Sequence, residues 1–568
     1  MNITGASVLK QEIARETTQS TATIAVSRLP FSDIPKQSRL FIEYQDNPAG
    51  LTRYYPNAVT SPESLPAQAT EILANYKTDR KLLCDALVEI NTGIGAGDAT
   101  FKNIDRLRDT DALAVVTGQQ AGLFTGPLYT IFKALSAVKL AETLASDGVK
   151  AVPVFWAATE DHDFDEVAEV FVIGKSGELV RSNYRPLQDV NNSPVGKVKI
   201  DAEMDSVIER FFSDLPETEF SADLRQLLAS AWSDGTLYGD AFASTMASIL
   251  GRFGIIFFDP LHEGIKRLSV PIYCEAIDNA EQIVSGVINR SRDLERDGYH
   301  AQVLVEDDYF PLFWHDDFGQ RLALRTTASR TYRVRATNTE FTTAELKEMA
   351  LNSPAKFSPG VMLRPVVQDY ILPTLAYFGG AAEVAYFAQN SVVYRTLGRP
   401  VTPILHRQSF TIVEARQRRI LDKFGLRLKS LFEGRDAIAL RVAEFGLVPE
   451  TARMFSDVEE KINTELNRID QAVSTFDPTI AESLAKRRRK IIYHIAALRR
   501  TTLLAESRKN DTLNRQIENL FSTLVPNGQL QERSLNVFSF LNKFGPNLVD
   551  WIYDAIDLED NGHRIIEL

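Results

Sequence analysis

Cysteine, basic charge and long apolar runs are all scarce in this chain of 568 residues. The two cysteines, Cys84 and Cys274, lie far apart and form no C-x-x-C pair, so we expect no disulfide framework. No apolar run approaches the roughly 20 residues that cross a bilayer, and the first residues lack the long apolar core of a signal peptide. Together these absences predict a soluble cytoplasmic protein with no membrane partner.

The charge balance argues against another class of function. The formal net charge is −12 at pH 7, and the isoelectric point is near 5.3. A protein whose main work is to grip long nucleic acid normally carries a basic excess, so no long nucleic acid is expected as a partner. The length exceeds that of one hydrophobic core and therefore predicts two or more structural units.

From residue 112 onward, short apolar runs alternate with helical patterns. The run 112–116 ends in a glycine-rich turn, a helix is predicted over 127–146, and 151–157 follows as the next buried strand. A right-handed crossover makes two such strands parallel. The runs 253–258 and 401–405 predict a third and a weaker fourth strand, so the fold class is α/β with a doubly wound parallel core.

The segments outside this core show other patterns. Residues 38–44 could form a strand, and 64–92 predict a helical region. Residues 165–200 and 299–340 are interpreted as β-rich insertions, because 167–180 and 299–305 alternate between apolar and polar side chains. We therefore expect two insertions attached to the parallel core.

The C-terminal third is predicted to be helical. Apolar side chains over 455–476 recur at intervals of three and four residues, which is close to a coiled-coil seam, and the stripe continues over 479–508. Asp477-Pro478 breaks the pattern between them. This pattern predicts two long helices that either pack as an antiparallel hairpin or form an arm that contacts another subunit.

The turn that follows the first core strand reads T-G-Q-Q-A-G-L-F-T-G-P-L-Y. Glycines allow the backbone to approach a ligand closely, and a helix N-terminus favours an anion. The spacing matches neither G-x-x-x-x-G-K-[ST] nor G-x-G-x-x-G, so a ligand-binding turn and a structural turn both remain open. The substrate-binding candidates here are Thr117, Gly118, Gln119, Gln120, Gly122, Thr125, Gly126, Tyr129 and Lys133.

Five acidic residues and a histidine follow the second core strand, in the segment W-A-A-T-E-D-H-D-F-D-E. They lie at the carboxyl end of that strand, where doubly wound sheets bind their ligands. His162 could be a general base whose pKa a neighbouring carboxylate raises. The segment could instead hold a divalent ion or be an acidic helix start, and no metal ligand is assigned. The catalytic candidates are His162, Asp161, Asp163 and Glu160, and Trp156 is a substrate-binding candidate.

A third set of polar residues lies beside prolines and a Gly-Gly pair between residues 356 and 387. A Gly-Gly pair before a helix is another potential anion site, and a helix pair kinked by proline is the alternative. The substrate-binding candidates in this set are Arg364, Gln368, Asp369, Tyr370, Gly379, Gly380, Glu383 and Tyr386.

The basic run 486–490 is interpreted as a solvated helix face, with docking of a nucleotide or phosphate as the alternative. The remaining histidines are interpreted as structural. They are His262, His300, His315, His406 and His563, of which His262, just after Asp259-Pro260, is the strongest candidate for a functional role.

Four segments together resemble the BshC family, the cysteine ligases of bacillithiol biosynthesis. They are V-V-T-G-Q-Q-A-G-L-F-T-G-P-L-Y-T-I-F-K, P-V-F-W-A-A-T-E-D-H-D-F-D-E, G-I-I-F-F-D-P and F-S-P-G-V-M-L-R-P-V-V-Q-D-Y. The resemblance covers nearly the whole chain. It implies a cytoplasmic ligase that joins L-cysteine to glucosaminyl-malate by forming an amide, in the last step of the pathway.

The resemblance also implies an architecture. It implies a Rossmann-like core similar to that of class I aminoacyl-tRNA synthetases, connecting-peptide insertions, and a C-terminal coiled coil that makes a homodimer. On this basis the expected order is core 1–165, connecting insertion 166–250, core 251–298, second β-rich insertion 299–350, core and helical linker 351–450, antiparallel coiled-coil arm 451–510, and a helical segment 511–568 that packs back on the core.

The motifs leave the source of chemical activation open. No H-I-G-H follows the first strand, and 356–358 is at best a fragment of K-M-S-K-S. ATP or another nucleotide, with Mg, is therefore a possible cofactor that no motif secures. Our hypothesis places the activated carboxyl or phosphate at 118–133. His162, with Asp161 or Asp163, would deprotonate the amine, and Arg364 and the turn 379–380 would hold the sugar or the malate carboxylates. A nucleotide-binding, non-catalytic partner on the same scaffold is the alternative.

Overall fold

The computed structural model describes residues 25–59, 61–327, 331–335, 337–446, 449–476 and 480–568. The strands are β1 (Ala25–Leu29), β2 (Leu113–Gln119), β3 (Ala151–Ala157), β4 (Glu169–Ile173), β5 (Leu179–Asn183), β6 (Ile256–Phe258), β7 (Tyr309–His315), β8 (Arg321–Thr326), β9 (Tyr332–Val334), β10 (Glu340–Phe341), β11 (Phe357–Pro359), β12 (Thr374–Gly379), β13 (Ile404–His406), β14 (Ser409–Val413) and β15 (His563–Glu567).

The helices precede, separate and follow these strands. They are α1 (Arg39–Asp46), α2 (Ala69–Asn75), α3 (Arg80–Gly93), α4 (Asp98–Leu107), α5 (Tyr129–Ser146), α6 (Phe164–Val167), α7 (Glu203–Asp214), α8 (Ser221–Ala231), α9 (Tyr238–Leu250), α10 (Glu263–Asp278), α11 (Ala280–Arg296), α12 (Thr343–Asn352), α13 (Arg364–Ile371), α14 (Ala381–Thr396), α15 (Ala415–Lys423), α16 (Leu428–Leu431), α17 (Arg435–Gly446), α18 (Pro449–Phe476), α19 (Ile480–Lys509), α20 (Asp511–Leu524), α21 (Gln531–Ser534), α22 (Phe538–Phe544) and α23 (Asn547–Asp554). Across the described residues, no helix is both long enough and apolar enough to cross a membrane.

The central sheet has the strand order β13-β12-β2-β3-β6, and every neighbouring pair in it is parallel. This topology confirms the predicted doubly wound core, and the buried runs 112–116 and 151–157 are confirmed as β2 and β3. The predicted strands 253–258 and 401–405 are confirmed in part, because β6 begins only at Ile256 and β13 only at Ile404. The chain passes from β2 to β3 to β6 on one side of β2 and then returns to place β12 on the other side. The strand order therefore reverses between β2 and β12, and the carboxyl edge at such a switch point is where these sheets bind ligands.

Two further groups of strands are attached to this core. β4 and β5 form an antiparallel hairpin ahead of the helices α7 to α9. β7 to β11 form an antiparallel sheet in the order β10-β9-β8-β7-β11. The prediction of β-rich segments at these two places is confirmed.

The prediction of strands over 38–44 and 299–305 is wrong. The first segment forms helix α1, because Ser38 caps it by accepting a hydrogen bond from the Phe41 N–H and its buried apolar residues share one helical face. The second has no neighbouring strand. The Val303 backbone instead bonds to the Gln389 side chain of α14, and Leu304 is 86% exposed.

The C-terminal region combines a helical arm with a segment that returns to the core. α18 and α19 are antiparallel, and Arg488 of α19 donates to Asp470, Asn467 and Asn463 of α18. The predicted break at Asp477-Pro478 lies outside the described residues. The last strand, β15, pairs with β1 and β14, so the final segment is not wholly helical.

Candidate active site

The glycine-rich turn, residues 118–128, leaves the carboxyl end of β2 at the switch point. A Cβ at Gly118 would lie 2.9 Å from the Trp156 carbonyl oxygen of β3, so only glycine allows the two strands to approach this closely. A Cβ at Gly122 would lie 2.7 Å from the Cα of Gly126, where the turn closes on itself. These contacts explain why the turn carries glycine at these positions.

The first polar group at the turn is the Lys133 cluster, formed by Gly118, Gln119, Lys133, Tyr377 and Glu383. Lys133 of α5 is 3% exposed, and its ammonium donates to the Gly118 carbonyl at 2.8 Å and to Gln119 Oε1 at 2.9 Å. It also forms an ion pair with Glu383 of α14. Tyr377 donates to the same carboxylate at 2.6 Å. The cluster therefore joins β2, α5, β12 and α14 across the switch point.

Glu383 is held as a carboxylate although it is buried. Burial acts to raise the pKa of its carboxyl, but the Lys133 ammonium and the bonds from Tyr377 and the Gly380 N–H outweigh burial, and the pKa is lowered. The Gly380 N–H donates to Glu383 Oε2 at 2.7 Å. The sequence predicted that the Lys133 ammonium and the Gly380 N–H could bind an anion from a ligand. In this conformation both are bound to the Glu383 carboxylate instead.

Arg364 stands beside the Lys133 cluster. Its guanidinium lies 5.3 Å from the Tyr377 ring centre and 5.9 Å from that of Trp156. It donates to Gln368 at 2.9 Å and to the Tyr386 hydroxyl at 3.0 Å. Among the described residues no carboxylate lies within ion-pair distance of it. A half-buried arginine with only neutral hydrogen-bond partners is suited to bind the carboxylate of a ligand.

The second polar group is the His162 cluster, formed by Gln120, Asp161, His162, Arg321 and Ser358. Gln120 of the turn donates to Asp161 at 2.8 Å. Arg321 of β8 donates to His162 Nδ1 at 3.0 Å and to the Ser358 hydroxyl at 2.9 Å. The second insertion therefore contributes a cation to the carboxyl edge of the sheet. Because Gln119 and Gln120 are adjacent, the two clusters adjoin.

The protonation of His162 differs from the sequence prediction. We expected a carboxylate to raise its pKa, but burial and the Arg321 guanidinium together outweigh Asp161 and Asp163, and the pKa is lowered. Arginine can only donate, so His162 Nδ1 accepts, and the neutral ring carries its proton on Nε2. The imidazole is therefore uncharged at neutral pH.

The other acidic candidates have separate partners. Glu160 is buried and forms an ion pair with Lys266 of α10, which also donates to the Phe357 carbonyl at 2.5 Å. Asp163 caps the short helix α6 by accepting from the Glu166 N–H at 3.4 Å. Within the described part of the chain, no three His, Cys, Asp or Glu side chains meet in a group that could hold a metal ion.

The remaining substrate-binding candidates have partners inside the protein. Thr117 is buried and donates to the Phe378 carbonyl at 2.9 Å. Trp156 is buried and stacks on Phe258. Asp369 accepts from Tyr394, Thr402 and Gln368, and the Tyr370 ring packs under Arg399. Gly379 and Tyr129 line the Lys133 cluster, where Tyr129 is 3.3 Å from Gln119.

Sequence reasoning missed Lys266, Arg321, Ser358 and Tyr377. Lys266 follows β6 at the same sheet edge, so a search of each segment that follows a core strand could have found it. Arg321 comes from the second insertion, and nothing in its local sequence indicates that it reaches the core. Ser358 lies in the fragment 356–358, which was compared with K-M-S-K-S, but its contact with Arg321 was not predicted.

Two family models together cover almost all of the chain. The model for "Bacillithiol biosynthesis BshC, N-terminal Rossmann-like domain" matches residues 26–408, and that for "Bacillithiol biosynthesis BshC, C-terminal coiled-coil domain" matches residues 410–568. The chain belongs to the BshC family. The family descriptions agree with the parallel core and the helical arm of this BshC-family chain.

Curated relatives in the BshC family carry the name "Putative cysteine ligase BshC". The relative from Salinibacter ruber is 34% identical over 544 residues, which are 95% of this chain and 98% of the relative. The relative from Solibacter usitatus is 33% identical over 94% of this chain and 98% of its own length. The relative from Koribacter versatilis is 34% identical, with shares of 95% and 99%. The likeness thus spans core, insertions and arm.

Proposed function

We propose that this protein is a ligase that adds L-cysteine to glucosaminyl-malate by amide formation, in the last step of bacillithiol biosynthesis. The observation that carries the proposal is the full-length likeness to relatives named as cysteine ligases. The carboxyl edge at the switch point supports it, because the glycine-rich turn, the neutral His162 and Arg364 lie there, and Arg364 has no ion-pair partner among the described residues.

The reaction joins an amine to a carboxylate. The sugar amine attacks the cysteine carboxyl carbon, a C–N bond forms, and one carboxyl oxygen leaves with the group that activated it. A free carboxylate is a poor acceptor in water, so we propose ATP as the source of activation, with Mg²⁺ as its counter-ion. Lys133 and the Gly380 N–H are both bound to Glu383 in this conformation, so they would reach a phosphate only after Glu383 moves.

We propose His162 as the base that takes a proton from the sugar ammonium. Its lowered pKa keeps the imidazole neutral at neutral pH, which is the form that can accept a proton. Nδ1 is the nitrogen with a lone pair, and in this conformation it accepts from Arg321, so it would take a proton only after Arg321 moves away. Asp161 lies 3.8 Å from Nδ1 and would stabilise the imidazolium that forms.

We propose that Arg364 binds a malate carboxylate of glucosaminyl-malate. Two of its N–H groups already point at neutral partners, and the others remain for a carboxylate, which arginine binds in a planar, two-bond geometry. Binding there would place the sugar beside the turn, within reach of the His162 cluster. The malate group then acts as the anchor and the amine as the reacting end.

We propose that the α18–α19 arm makes a homodimer in the cytoplasm. Apolar side chains on its surface are 41% to 61% exposed within one chain, which favours a second copy as their cover. They are Met454, Val458, Ile469, Ile491 and Leu498. Both cysteines are unbonded, which fits a reducing compartment.

The activity can be tested with purified protein, L-cysteine and glucosaminyl-malate, with and without ATP. Mass spectrometry should detect the cysteinyl amide only when ATP is present. A matched reaction without enzyme measures the background.

A further inference from the structure

A single asparagine from the C-terminal region is bonded to the strained part of the glycine-rich turn. The Asn536 side-chain amide donates to the Phe124 carbonyl and to the Gly126 carbonyl, both at 2.7 Å. Its Oδ1 accepts from the Phe538 N–H at 2.9 Å. Asn536 is fully buried, so both N–H groups and the oxygen of its amide are used inside the protein.

The backbone that Asn536 contacts has an unusual conformation. Phe124, Thr125 and Gly126 have φ of 46°, 83° and 69°, so three successive residues lie in the left-handed region. For phenylalanine and above all for β-branched threonine this conformation is strained, and it persists only where the surroundings impose it. The two carbonyls that Asn536 holds flank the Thr125 position, so its amide fixes the direction of the chain there.

The backbone beside Asn536 strengthens the same connection. The Leu128 N–H of the turn donates to the Leu535 carbonyl at 2.8 Å, and the Asn536 N–H donates to the Phe171 carbonyl of β4 at 2.8 Å. Residues 535–536 therefore lie between the turn and the first insertion. Near the same turn, Arg407 lies over the Tyr129 ring at 5.2 Å and makes two hydrogen bonds to Glu532, at 2.8 Å and 2.9 Å.

We propose that Asn536 is a positioning residue that holds the glycine-rich turn in its substrate-binding conformation, so that the C-terminal domain completes the active site. The inference rests on the proposed function in one respect, since the turn is one wall of that site. Its structural part, that the turn depends on Asn536, does not depend on which substrates are used.

The test compares Asn536→Ala with Asn542→Ala. Asn542 is a matched control, because it is also fully buried and donates to a backbone carbonyl, that of Pro216, at 2.7 Å. It contacts the segment before α8 and not the turn. Hydrogen–deuterium exchange of the turn is measured without substrate, thermal unfolding is measured for both variants, and kcat and KM are measured for both substrates.

In Asn536→Ala, the turn amides should exchange about 5- to 150-fold faster, as expected for the loss of two hydrogen bonds. The ratio kcat/KM should fall about 10- to 100-fold, because displaced binding groups lose productive geometry. Asn542→Ala should lower thermal stability to a similar extent, with exchange of the turn and kcat/KM near those of the wild type. Asn536→Asp, which has the same shape but sets an oxygen against two carbonyls, should behave like the alanine variant.

Unchanged exchange of the turn in Asn536→Ala, or kcat/KM equal to that of Asn542→Ala in an active enzyme, would overturn the proposal. Full activity of Asn536→Asp would do the same, because it would show that shape alone matters. If the alanine variant does not fold, Asn536→Ser, which keeps one donor, is compared with Asn542→Ser by the same measurements. If the wild type forms no amide, the proposed function is refuted. Faster exchange of the turn in Asn536→Ala would still support the structural part of the proposal.

Discussion

Removing the Arg364 guanidinium tests how the site recognises its larger substrate. The group lies near the Trp156 and Tyr377 rings and donates to the neutral side chains of Gln368 and Tyr386. Among the described residues no carboxylate lies within ion-pair distance of it. No ion pair to a described carboxylate uses its positive charge, although Glu383 lies close enough to act on it electrostatically. In Arg364→Ala, a malate carboxylate would lose its charged partner.

The expected loss follows from the strength of charged hydrogen bonds. A hydrogen bond to a charged group contributes about 1.5 to 3 kcal/mol, which corresponds to about 10- to 150-fold in binding. The malate group is remote from the bond that forms, so its loss should raise KM for glucosaminyl-malate by that factor and change kcat little. KM for L-cysteine should stay within about twofold.

A substrate without malate isolates the interaction. The wild type should use glucosaminyl-malate with a far higher kcat/KM than D-glucosamine, and Arg364→Ala should reduce this preference about 10- to 150-fold. Arg399→Ala is the matched control, because Arg399 also lies over a tyrosine ring, that of Tyr370, at 4.5 Å. It should leave the preference unchanged. A preference in Arg364→Ala equal to that of the wild type would refute the assignment.

Three further changes test the histidine, the buried ion pair and the arm. His162→Asn should lower kcat about 10²- to 10⁴-fold, because it removes the proposed base. Arg321→Ala should move the acid limb of the kcat/KM pH profile to higher pH, because the loss of a nearby cation raises the pKa of His162. Lys133→Met should lower the free energy of unfolding by about 3 to 5 kcal/mol, since it leaves the Glu383 carboxylate buried without its partner. The double variant Lys133→Met with Glu383→Gln should recover much of that loss, because it removes the buried charge as well. Ile469→Lys should convert the proposed homodimer to a monomer in light scattering after size-exclusion chromatography, because it places a charge on the apolar face of the arm.

Each of these expectations has a result that contradicts it. Near-normal turnover of His162→Asn would exclude a role as base, and an acid limb that stays in place would show that Arg321 does not set its pKa. Equal stability of the Lys133 single and double variants in chemical denaturation would show that the ion pair is not coupled. For the arm, Gln471→Lys adds the same charge at another exposed position, and dissociation of both variants would show that charge alone acts.

Much of the core could be predicted from the sequence, because its physical cause is local. The runs that became β2 and β3 are apolar throughout, as strands buried on both faces must be. The carboxyl ends of parallel strands share one edge, so topology alone placed the glycine-rich turn beside Asp161 and His162. Helix α1 was missed because its buried residues are too few to separate a helical period from an alternating one.

The parts of the site that could not be predicted come from distant segments. Arg321 reaches His162 across 159 residues of sequence, and Asn536 reaches Phe124 across 412. Such contacts depend on how an insertion and the C-terminal region pack on the core, and no local pattern specifies that packing. The lowered pKa of His162 has the same origin, since the burial and the guanidinium that cause it both need the docked insertion.

The most direct test of the central claim is the formation of product by the purified full-length chain. L-Cysteine, glucosaminyl-malate and ATP should give a new species whose mass equals the sum of the two substrates minus one water, with an intact thiol, and omission of any one of the three should abolish it. If the complete mixture gives no such species while the protein is folded and binds nucleotide, the chain is a non-catalytic partner, and the account is contradicted.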